Sequence, residues 1–211
     1  MRFLKTAAFA TAATLGSAIA AQAGLIDFTD PSTYTISGNT GSGSVGDFNY
    51  TIESIGGNLT RRADGPGATG PLVGDTDGLG IRDDEISFPA ESLTITFDRM
   101  VQINRILTLD LFLDRQPDEV DEGFTVNGGS PFLAQANASE GDTVGFGDFG
   151  GLSLIGTSFT FEAIATNDNR GAPDFALAGL NVAPVPLPAG VLLLGGALAG
   201  LGFARRGKKS A

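Results

Sequence analysis

The chain has 211 residues, 24 of them acidic and 13 basic, for a formal charge of -11, with no Cys, His or Trp. That composition excludes a disulfide framework, thiol and Ser-His-Asp nucleophiles, and the usual zinc sites. All 24 acids lie between Asp27 and Asp174, beside only seven arginines, a net of -17 that repels phosphate backbones and argues against nucleic acid as a partner.

The chain opens with "MRFLKTAAFATAATLGSAIAAQAG". Arg2 and Lys5 give a positive start, small apolar residues follow, and Ala21-Gln22-Ala23 has the small-x-small form of a signal-peptidase site. Residues 1–23 therefore read as a signal helix handled by the Sec translocon, with Gly24 as the mature N-terminus.

From residue 24 to about 182 the sequence alternates short apolar-patterned runs with Gly, Asn and Asp clusters. Strands are expected at 33–37, 47–55, 91–97, 101–113, 123–128, 157–166 and 174–182. In "ESLTITF", Leu93, Ile95 and Phe97 share one face while Ser92, Thr94 and Thr96 share the other. Clusters such as "GNTGSGSVGD" and "VNGGSP" read as turns. Seven or more such strands, with no helix of ordinary length between the two ends, predict an all-β domain, an antiparallel jelly-roll-like β-sandwich. The 15 Phe fall mostly at inward strand positions, which leaves few aromatic platforms for sugar stacking.

The stretch "GDTDGLGIRDDE" holds Asp75, Asp77, Asp83, Asp84 and Glu85 within eleven residues. Asp75, Asp77 and Gly80 match the first, third and sixth places of a calcium loop, but Leu79 stands where an oxygen ligand belongs and Ile86 where a bidentate Glu belongs. An EF-hand is thus excluded. Two readings remain: a Ca2+ site completed by another segment, with Glu91 nearby, or a solvated acidic turn. A second acidic run, "DRQPDEVDEG", reads as a loop that could complete such a site.

The C-terminus is built in three parts. Residues 183–189 contain Val185, Pro186, Leu187, Pro188 and Ala189, and the alternating prolines keep this segment extended and unpaired. An uncharged run follows; the 18 residues from Leu187 to Ala204, if helical, span ~27 Å, enough for a bilayer core. Residues 190–204 thus read as a transmembrane helix. Arg205, Arg206, Lys208 and Lys209 end the chain as a basic stop-transfer cluster, within a cytoplasmic tail of residues 205–211.

This tail resembles the VPLPA-CTERM sorting signal, a variant of the PEP-CTERM family of exported envelope proteins. The resemblance implies that an exosortase-type membrane transpeptidase cuts within residues 185–189. The precursor would be anchored in the inner membrane, and the product would be at the cell surface or outside the cell. Two body segments are similar to those of such proteins: "DGLGIRDDEISFPAESLTITF" at 77–97 and "FALAGLNVAPVP" at 175–186. Three functions fit this reading. The first is a non-catalytic surface or matrix protein, the second a module binding the exopolysaccharide, and the third an enzyme built on a carboxylate pair.

Overall fold

The computed structural model describes residues 23–62, 70–74, 76–113, 121–134, 145–164 and 173–185. Ala21, Asp75, Pro186, Leu187, Pro188 and Ala189, with Arg205, Arg206, Lys208 and Lys209, lie outside them, as do both expected membrane segments. Among the described residues there is no helix, and none long and apolar enough to cross a membrane.

Among the described residues eleven strands follow one another: β1 (Gly24–Asp27), β2 (Tyr34–Ser37), β3 (Thr40–Val45), β4 (Phe48–Ile55), β5 (Leu59–Thr60), β6 (Gly80–Ile81), β7 (Ser92–Leu109), β8 (Gly123–Val126), β9 (Phe132–Leu133), β10 (Gly147–Ala163) and β11 (Ala176–Pro184). Nine of them form one antiparallel sheet, and β5 pairs with β6 as a separate ribbon. The expected all-β class, with a large antiparallel sheet, is what the chain forms.

Two strands run through the whole sheet. The first half of β7 pairs with β4 on one side, Tyr50 opposite Phe97, and with the second half of β10 on the other, Phe159 opposite Ile95. Its second half pairs with β11, Leu180 opposite Ile106, and with the first half of β10, Phe149 opposite Ile106. The ladder shifts register between Gly150 and Leu154 and again between Gly156 and Ser158. Such bulges bend a strand and raise its twist, which carries β7 and β10 from one wing of the sheet into the other.

Alternation supplies the core. In β4, Phe48, Tyr50, Ile52 and Ser54 are buried while the residues between them are exposed. One cluster joins Ile26, Phe28, Tyr50, Ile52, Leu93, Ile95, Phe97, Phe124, Phe159, Phe161, Phe175 and Leu180. Its rings meet edge-on or stacked: Phe124 lies 4.8 Å from Phe175 and 5.4 Å from Phe149 between centroids. This places Phe where the sequence expects it, inside.

The wing formed by β11 and the end of β7 is buried on both faces. A second cluster of Leu72, Leu107, Leu109, Ala176 and Ala178 lies opposite the main core. Buried Asp27 ties the covering segment down. It accepts from Thr29 N at 2.9 Å and from Val73 N at 2.7 Å. Two covered faces explain why β11 reads "ALAGL" with no alternation.

Several strands differ from the sequence expectation. The runs 91–97 and 101–113 are one strand, because the exposed Asp98-Arg99-Met100 step lies inside β7 and not at a turn. The "TGSGSV" of the expected turn cluster is β3. The strand expected at 157–166 begins ten residues earlier, at Gly147.

Candidate functional site

The acidic loop runs through β6 towards β7, and its glycines determine its shape. A side chain on Gly80 would overlap the Asp84 carbonyl, and Gly78, with φ near +107°, would place one 2.9 Å from the Leu177 carbonyl. Both positions thus require glycine. Ile81 N donates to the Glu85 carbonyl at 2.8 Å, closing a turn in which Arg82 and Asp84 take left-handed φ of 63° and 88°. The loop then lies along the start of β11. Leu79 and Leu177 exchange hydrogen bonds of 2.9 and 3.0 Å, and Ile86 N donates to the Phe175 carbonyl at 2.8 Å. The two segments singled out at 77–97 and 175–186 are therefore neighbours in space.

This docking gathers acids that are far apart in sequence. Asp110 follows β7 in a left-handed conformation, with φ near 55°. Burial pushes its carboxyl up to about 7, with further contributions from Glu85, Asp77, Asp84 and Glu122. Asp174 precedes β11. Burial pushes it up to about 8, and the charges of Glu85, Glu122 and Asp110 add to this. Glu85 is also raised, by burial first and then by the charge of Asp83, while a hydrogen bond with Asp174 pulls it back down. Asp174 and Glu85 are thus hydrogen-bonded partners that take up a proton as a pair, both pushed up chiefly by burial. Glu122 comes from the second acidic run and accepts from Phe112 N at 2.7 Å.

Of the expected loop acids, Asp77, Asp84 and Glu85 act on Asp110, while Asp83 is exposed at the turn and acts through its charge on Glu85. Arg62 Nε lies 3.3 Å from Asp84 Oδ1. Glu91 has a different task. Its Oε2 accepts from Ser87 N at 3.0 Å and its Oε1 faces Arg82 Nε at 3.5 Å, so it braces the turn before β7. Among the described residues no group of three carboxylates is disposed to hold a metal ion. Asp110 escapes sequence reasoning because it stands alone between apolar residues, and Asp174 because it is a single acid at the head of an apolar run, far in sequence from the acidic loop. The only local trace is an acid placed directly at a strand boundary.

The outer face of the other wing is polar in a regular way. Thr35, Ser42, Thr51, Thr96 and Ser158 stand in one cross-strand row over five strands. The end pairs of this row touch: Thr35 and Ser42 at 3.3 Å, Thr96 and Ser158 at 3.2 Å. A trough of about 620 Å³ runs over this face. Tyr34 and Tyr50 are buried in the core at 3% and 2% exposure, so neither offers a ring to a sugar.

The arrangement as a whole is an all-β domain with a cluster of carboxyls where its loops meet, Asp110, Asp174 and Glu85 being raised chiefly by burial, and a row of hydroxyls on the outer face of one wing. No family model matches the chain, and no curated protein or solved structure is significantly similar to it.

Proposed function

We propose that this chain is an exported, non-catalytic protein of the cell surface or extracellular matrix. It passes the Sec translocon, is held in the membrane as a precursor, and is sorted by an exosortase-type transpeptidase reading Val185, Pro186, Leu187, Pro188 and Ala189. One observation supports this most. β1, which begins at Gly24, pairs with β11, which ends at Pro184, so the residue next to the expected leader cut and the residue before the motif belong to one closed part of the sheet. The domain is cargo, and we read its two wings, joined by β7 and β10, as a jelly-roll-like sandwich. Intact mass spectrometry of envelope and culture fractions tests the reading. The expected product begins at Gly24 and lacks the basic tail. Full-length protein alone, with Arg205 to Lys209 attached, overturns sorting and leaves plain anchoring.

The hydroxyl row favours a second reading, a face that contacts the exopolysaccharide. An uncharged row of hydroxyls suits a neutral glycan, which the acidic body does not repel. Glycan-array binding that is lost on replacing Thr51 and Thr96 separates this reading from an inert matrix protein. The calcium proposal belongs to the same exported setting and requires these side chains to move, since as they stand no three of the described ones converge on one point. Ca2+ would replace the protons on Asp110 and Asp174, drawing in Asp77, Asp84 and Glu85, with Asp75 outside the described residues.

A further inference from the structure

We infer that both ends of the domain leave by one rim, so that leader and sorting segment enter the bilayer side by side, with β1 already zipped to β11 before the sorting cut. This rests on the proposed export and sorting. The register carries it: Gly24 lies opposite Val182, and Asp27 opposite Gly179. The pairing continues beyond the strand, where Phe28 N donates to the Ala178 carbonyl at 2.9 Å.

Strand β1 is no loose flap. Ile26 and Phe28 are core residues at 2% and 0% exposure. A side chain on Gly24 would run into Val45, at the tip of the β3–β4 hairpin, so this hairpin ends on the same rim. Pro184 closes β11 opposite Val101, beside the step where β7 passes between wings. Antiparallel partners stand ~5 Å apart, so the expected leader cut at Gly24 lies within ~10 Å of where the chain leaves β11. From Pro184 to residue 190 the chain spans at most ~20 Å even fully extended. The rim therefore faces the membrane, and a cut within residues 185–189 removes no bond between β1 and β11.

The chain has no cysteine, so a Leu25→Cys/Asn181→Cys pair reports this pairing without a competing thiol. The full chain would be expressed in cells that carry the sorting enzyme. The cross-link is expected in leaderless protein that still bears residues 190–211. A cross-link confined to tail-less protein, or absent from a variant that melts like the parent, would overturn the inference. An Ala21→Leu/Ala23→Leu chain that retains its leader gives a second measurement. It should still lose its tail at the parent's rate, because both segments leave by one rim, and loss of tail removal there would count against the inference. A parent that keeps its tail in every fraction would overturn sorting alone, and the cross-link in that parent would still decide the rim.

Discussion

Raising the pH should loosen this domain well before any unfolded carboxylate chemistry would demand it. Asp110 goes from 3.8 to about 7 on folding, chiefly through burial. The folded carboxyl keeps a proton that the unfolded chain gives up. Its contribution to stability is therefore whole below 3.8 and is lost as the pH climbs through about 7. A tenfold change in proton affinity is ~1.4 kcal/mol, which sets a ceiling of ~4 kcal/mol for this one group. Partial exposure of Asp110 lowers that to ~2 kcal/mol. Asp174, raised to about 8, adds in the same direction as a pair with Glu85. For a domain of this size ~2 kcal/mol is a fall in Tm of ~4–8 °C between about pH 4 and about pH 8. Urea denaturation of residues 24–185 at a series of pH values measures it. The Asp110→Asn variant should reduce this slope, leaving the part due to Asp174, and raise stability at the alkaline end, since Asn tolerates the left-handed φ at that position. A parent whose stability does not change over this range, or an Asn variant with an undiminished slope, would refute the reasoning.

Other expected outcomes follow from the same geometry. Calcium should stabilise the domain at alkaline pH by ~2.7 kcal/mol at a hundredfold excess over Kd, seen as a higher melting temperature, and do little at acid pH where Asp110 and Asp174 hold protons; equal melting with calcium and with EDTA at constant ionic strength returns the loop to a plain acidic turn. Gly80→Ala should cost ~3 kcal/mol or more, because its Cβ overlaps the Asp84 carbonyl, whereas Gly150→Ala meets nothing within 4 Å and should be near neutral, both read by thermal melts. Replacing Pro186 and Pro188 with Ala should block tail removal while leaving the melting curve unchanged, because both follow the last strand. Unchanged processing in that double variant would show that the motif is not what the sorting enzyme reads.

What could be read from the sequence follows the physics of each segment. Where one face of a strand is buried and the other wet, as in "FNYTIESI", period-two alternation gives the strand away. Strand β3 is hidden because Gly41 and Gly43 take inward positions that read as turn residues. There Tyr50 and the Thr35 carbonyl leave no room for a side chain. Strand β1 is hidden by its length and by the leader before it. The acidic loop was visible as a cluster, and the resemblance at 77–97 and 175–186 pointed to segments that do meet. That Asp110 and Asp174 complete the cluster was not visible, because only the pairing of β7 with β11 brings their ends together. Charge density along a chain shows where acids are crowded locally, and topology decides which of them take up a proton as a pair.

The neighbouring placement of β1 and β11 also decides how this domain answers a pull. Hydrogen bonds between antiparallel strands lie across the strand direction. Tension applied between Gly24 and Val185 would load the β1–β11 ladder from its open end, one bond after another, and the pair would part like a zip at low force. Once only the C-terminal end is attached, tension enters along β11 and must be resisted by its long ladder with β7, from Val101 to Leu109, with all bonds loaded together in shear. Pulled by both ends the fold would therefore be mechanically weak, and pulled along β11 against β7 it would be strong.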